Sequence, residues 1–179
     1  VFGLLRRTPH ERTGFVLYGA VVSAARDPYY YAELAVPDTL DGRFDLVGLH
    51  SCLVIRRLRL MPPPGPALAQ AVFDAMFSDM DINLRELGVS DLSVGKRVRA
   101  MWEAFHGRAV AYETALAAED LTGLAAALAR NVWRGLDPAD GVAERLAHIT
   151  MAQDAHVGQQ DAGALAAGTV TFLPPAEIA

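Results

Sequence analysis

The spacing of the apolar residues constrains this chain more than any other feature, because they recur at steps of three and four almost from end to end. Val94, Val98, Met101, Phe105, Ala109, Tyr112 and Leu116 fall on one side of a helix with 3.6 residues per turn. The same period places Phe15, Tyr18, Val22 and Ala25 on a helix over about 11–26. It places Phe44, Val47, Val54, Ile55 and Leu58 on another over about 42–59. Most other positions from Phe44 to Ile55 are apolar too, so this second helix is expected to be central and covered on more than one side. Further helices are read over about 66–87 and 94–118, then from Asp120 and from Asp137-Pro138.

Breakers punctuate this pattern. Asp27-Pro28 stops the first helix and starts a short aromatic one carrying Tyr29, Tyr30 and Tyr31, since Asp caps well and Pro suits the first helical turn. Met61 to Pro66 is a stiff connection, and Gly88 is a helix stop. Residues 161–179 read as an irregular tail, with Thr169 to Leu173 able to extend before Pro174-Pro175. In 179 residues without a repeat or long linker, the expected organisation is an arm over 1–10, a helical domain over 11–160 and a tail over 161–179. The fold class is all-α, a single-domain bundle of about six or seven helices.

Composition excludes several function classes. A net charge of −5 argues against a general nucleic-acid binder, and no specific DNA contact is expected. No run approaches the roughly 20 apolar residues of a membrane-spanning helix. The opening Val1 to Arg7 has its basic residues after a short apolar stretch, unlike a secretory signal. The lone Cys52 fits a reducing compartment, and inside an apolar helix it reads as structural. The Ala-rich and Arg-rich usage fits a GC-rich bacterial coding sequence.

Chemical motifs are sparse. Neither a Gly-rich phosphate loop nor a Gly-x-Ser-x-Gly turn occurs. Glu103-x-x-His106 has the spacing that di-iron bundles use twice, but Glu144 and His148 are four apart and Asp154 and His156 two apart. Half a site leaves a metal short of ligands, and a solvated pair flanking Phe105 is the plainer reading. Asp74, Asp79 and Asp81 make either an ordinary polar face or an acidic patch for a partner. Lys96-Arg97-x-Arg99 lies in the first turns of its helix, where the macrodipole is positive. Those cations suit an acidic partner, or an intramolecular match with Asp91, Asp79 or Glu86. Three adjacent tyrosines about 100° apart cannot all face one core, so at least one of Tyr29 to Tyr31 is expected to be partly exposed.

The run Leu34 to Asp45 (Leu-Ala-Val-Pro-Asp-Thr-Leu-Asp-Gly-Arg-Phe-Asp) resembles the signature of the ubiquinol–cytochrome c chaperone family. So do Tyr18-Gly19-Ala20, Asp74 to Asp81, Leu84 to Val89, Asp91 to Lys96 and Phe105 to Arg108 with Tyr112, in that family's order. The resemblance implies an all-helical assembly factor for respiratory complex III, with no catalytic residue and no cofactor. It also implies a client such as newly made cytochrome b and, for mitochondrial members, a small helical partner and the ribosome exit region. The family usually has Tyr where this chain has His106, so Glu103-x-x-His106 is not a shared metal site.

The expectation is therefore a non-enzymatic chaperone of the bacterial cytoplasm or the periphery of the inner membrane. It would grip its client in an exposed aromatic groove rimmed by charge. Candidate groove residues are Tyr29, Tyr30, Tyr31, Val36, Pro37, Phe105 and Tyr112. Candidate rim residues are Asp38, Asp41, Arg43, Lys96, Arg97, Arg99 and Arg108. A contiguous exposed apolar patch is expected beside the Lys96 to Arg99 turn. Two alternatives stay open: a metal- or haem-binding enzyme using His106, His148 or His156, and a peripheral membrane module using the opening arm and exposed aromatics.

Overall fold

Leu40–Arg59 form a helix in which every residue from Phe44 to Ile55 is buried, the polar Asp45, His50 and Ser51 included. A helix apolar on all sides can be stable only at the centre of a bundle, and the other long helices surround it. The computed structural model describes residues 9–134 and 136–178, and among them every regular element is a helix. In chain order these are α1 (Pro9–Ala25), α2 (Pro28–Ala32), α3 (Leu40–Arg59), α4 (Gly65–Glu86), α5 (Asp91–Ala117), α6 (Leu121–Val132), α7 (Val142–Gln159), α8 (Ala162–Ala166) and α9 (Pro175–Ile178). Around α3 stand α1, α4, α5, α6 and α7. α1 lies most fully along α4, and α6 bridges α5 and α7. The close α1–α4 approach requires Gly14, since a Cβ there would come within 2.6 Å of the Ala71 carbonyl carbon.

Local capping chemistry sets the boundaries. The Asp27 carboxylate accepts from the Tyr29 N–H at 2.9 Å with Pro28 at the first helical position. Thr39 Oγ1 accepts from the Gly42 N–H at 3.1 Å at the start of α3, and Asp120 Oδ1 accepts from the Gly123 N–H at 2.9 Å at the start of α6. A side chain at Gly42 would overlap the Pro37 carbonyl, so the turn into α3 is closed to any other residue.

The structure departs from the sequence reading in four places. The last long helix starts at Val142, not at Asp137-Pro138, because Gly141 at φ 78 breaks the helical run and residues before it form a turn. Leu87, the last residue of the helix read over about 66–87, lies outside it and is exposed, because α4 ends at Glu86. The tail holds two further short helices, α8 and α9, joined by an extended stretch, so the described residues form nine helices rather than six or seven. Finally, the stripe on α5 is buried only in part: before Phe105, Val94 alone is buried, while Val98 and Met101 are half-buried.

His50 joins the centre to the tail. Its Nδ1 lies 2.8 Å from the Leu46 carbonyl, which can only accept, so the proton sits on Nδ1. Nε2 then accepts from the Tyr30 hydroxyl at 3.2 Å, and the ring meets Phe172 edge-on at 5.3 Å. Burial disfavours the imidazolium and pushes the pKa down from 6.5 to about 4, against the opposing pull of the Leu46 carbonyl. The unfolded chain therefore takes up a proton between pH 6.5 and about 4 that the folded chain refuses, and stability falls as pH is lowered through that window. The contribution is on the order of 3 kcal/mol. Urea unfolding across this range should show the slope in the native chain and a flatter one in His50→Gln.

Candidate partner-binding surface

The structure divides the expected groove and rim among four environments. Tyr30, Val36, Phe105 and Tyr112 are buried in the core. The expected groove is corrected at these positions, because side chains with so little accessible surface offer a partner almost nothing to touch. Their apolar character reports packing: Tyr30 supports His50, and Phe105 meets Phe73 and Phe77 of α4 at ring distances of 5.8 and 6.0 Å.

Asp41 and Arg108, expected on the rim, belong to a different structure. The Asp45 carboxylate is inaccessible and receives Arg108 from α5 and Arg134 from the end of α6, the latter through Nε at 2.6 Å and Nη2 at 2.8 Å. Arg134 also reaches Asp41 at 3.1 Å. Burial raises the Asp45 pKa above the usual carboxylate range and the two guanidiniums oppose it. Each Asp45 oxygen faces a guanidinium N–H, so a proton there would have no acceptor, and we read the group as the carboxylate. Arg134 holds a left-handed backbone at φ 47, uncommon for a residue with a side chain, to make this contact. Asp45 and Arg134 were not among the candidates; an acid within an apolar helical run was their only signal in the sequence.

Tyr31, Asp38 and Arg43 do come together. With Arg26, Pro28 and Ala32 they line an open cleft of about 650 Å³ beside α2. Tyr31 forms part of its wall and donates its hydroxyl to the Ala25 carbonyl at 3.0 Å. Arg43 and Asp38 pair across the rim at 2.6 Å. Tyr29 and Pro37 are half-buried.

Lys96, Arg97 and Arg99 lie elsewhere, on the outer part of the α4–α5 hairpin. Arg99 pairs with Glu103 one turn on, at 3.0 Å. The intramolecular match considered for the other two is taken up differently: Arg85 pairs with Asp91, and Tyr18 donates to Asp79 at 2.8 Å. Lys96 and Arg97 form no ion pair among the described residues. The same hairpin exposes Ile82, Leu87, Leu92, Trp102 and Val110, five of the nine large apolar side chains exposed among the described residues. Leu92 is 90% exposed. Trp102 stacks on His106 at 4.0 Å beside a shallow cleft of about 420 Å³ that also reaches Phe73 and Arg59.

No group of three His, Cys, Asp or Glu side chains among the described residues is placed to hold a metal ion. Glu103 is engaged by Arg99, His106 by Trp102, and His156 by Thr171 at 3.0 Å. Burial pushes the Cys52 thiol well up, which leaves it a poor nucleophile. Val1 to Arg7, the arm considered for membrane contact, lies outside the described residues. No described helix is long and apolar enough to cross a membrane.

The ubiquinol-cytochrome C chaperone family profile matches residues 32–172. The chain belongs to this family. The crystal structure of the Cbp3 homolog from Brucella abortus is similar with a TM-score of 0.86 and 35% identity, over 96% of this chain and 94% of that one. Protein CBP3, mitochondrial, of Saccharomyces cerevisiae is 28% identical over 151 residues, which is 82% of this chain and 45% of that protein. The ubiquinol-cytochrome-c reductase complex assembly factor 1 of Xenopus laevis is 24% identical over 103 residues, 58% of this chain and 51% of that protein. The chain thus spans about half the length of the curated relatives it matches.

The contribution of the buried ion cluster to stability is measurable. Asp45→Ala leaves the Arg108 guanidinium largely buried without an anion and should cost about 3–5 kcal/mol in urea unfolding. The pair Asp45→Leu with Arg108→Leu should recover much of that loss, because the largely buried Arg108 charge goes with its anion and the more exposed Arg134 keeps Asp41.

Proposed function

We propose that this chain is a non-enzymatic assembly chaperone for the cytochrome bc-type respiratory complex. Its client is cytochrome b or a similar newly made membrane protein, met in the bacterial cytoplasm or at the periphery of the inner membrane. The observation that carries this reading is the concentration of exposed apolar side chains on the α4–α5 hairpin beside Lys96 and Arg97, which have no ion-pair partner among the described residues. Apolar surface at this density is costly to leave in water and marks a place for another apolar chain. A membrane-protein segment outside its bilayer offers such a surface, and the cations orient it through flanking acids. The family membership and the name of the Xenopus laevis relative as an assembly factor of the ubiquinol-cytochrome-c reductase complex support the same reading. The α2 cleft is a second surface, open to a small helical co-chaperone or the ribosome exit region.

A photo-reactive residue at position 92, in cells assembling the complex, should capture cytochrome b. The same probe at Leu136, which is also exposed but lies off the hairpin, should not. Leu92→Asp with Lys96→Glu should lower co-purification of the client by about fivefold or more while the protein stays folded, since acids in the first turns of a helix favour its dipole. Equal capture at both positions, or none at position 92, would contradict the assignment.

A further inference from the structure

Residues 169–174, between α8 and α9, form no helix, and they are held in an unusual way. Gln160, which caps the C-terminus of α7, accepts from the Thr171 N–H at 2.9 Å and donates to the Thr171 carbonyl at 2.7 Å. Gln153, two helical turns earlier, accepts from the Leu173 N–H at 2.9 Å and donates to the Leu173 carbonyl at 2.7 Å. Each amide thus pairs with both main-chain groups of one residue, and the two residues alternate along one edge of the segment, as in a β-ladder. Such pairing reads backbone and is indifferent to side chains. Side-chain recognition is concentrated on Phe172 between the two clamps, whose ring packs on His50, with Val170 and Pro175 buried to either side. A cleft of about 430 Å³ runs beside the segment toward Ala20, Ser23 and Ala24 of α1, so the groove is wider than the chain that fills it.

We propose that this groove is a site for an extended client segment carrying an aromatic residue between two backbone-read positions, and that residues 169–175 occupy it as an exchangeable strap. The inference rests on the chaperone reading above. The strap shields the groove until a client segment competes for Gln153, Gln160 and the Phe172 seat.

The purified full-length chain tests this without any client, so the outcome is independent of capture at position 92. Hydrogen exchange should show the Thr171 and Leu173 amides opening at least about tenfold faster than that of the buried Val157 in α7. A fluorescein-labelled peptide of residues 168–178 should bind Phe172→Ala at least about tenfold more tightly than the native chain, because the strap in cis no longer competes. Adding Gln153→Leu should abolish that gain. Exchange of both amides only with global unfolding would overturn the proposal, and this measurement needs no variant that might fail to fold. Equal peptide affinity for native and Phe172→Ala chains would also overturn it. A concentration-dependent dimer that trades straps between copies would replace the client with a second copy of this chain.

Discussion

Asp45 sits near the start of a helix buried on every side, and it can remain there only because Arg108 and Arg134 reach it from two other elements. The three-way contact ties the N-terminal end of α3 to the middle of α5 and the end of α6. A charge removed from water is tolerable when both oxygens are satisfied by guanidinium donors. Once that condition is met, the orientation of α5 against α3 is fixed, and with it the direction in which the α4–α5 hairpin projects.

Polar groups inside the bundle follow the same logic. His50, Tyr30 and Gln153 are each satisfied by named partners, and together they connect α3, α2 and α7 to the extended segment near the end of the chain. Tyr30 and Gln153 also border the cleft beside that segment. On the outside, the helical frame presents apolar side chains together with Lys96 and Arg97, which form no ion pair among the described residues. This division suits a protein that holds another chain, because the holding surface can stay apolar while the interior supplies stability.

Much of this was readable before any coordinates. The repeat of three and four located the long helices, Asp27-Pro28 and Asp120 located two helix starts, and the apolar density of Phe44 to Ile55 marked the central helix. Side-chain assignments were less accessible. Tyr30, Phe105 and Tyr112 are aromatic residues in helices, a type equally at home in a core and at an interface, and only the packing of neighbouring helices decides which. Asp41 and Arg108 looked like rim charges because their partners, Arg134 and Asp45, are 93 and 63 residues away in the chain, separations no local pattern reports. The exposed half of α5 was hidden for the opposite reason: its stripe is regular, yet α3 is not long enough to cover it throughout. The strap was visible only as a tendency of Thr169 to Leu173 to extend, since the glutamines that hold it are ordinary surface types.

The central claim is that a stable helical frame acts through its outer hairpin. It is tested most directly by the reduced-minus-oxidised b-type cytochrome spectrum of membranes from cells lacking this protein, complemented with chains altered on the hairpin alone. A folded chain carrying charges at Leu87, Leu92 and Trp102 should fail to restore the b-type signal that the native chain restores. Full restoration by that chain would contradict the account.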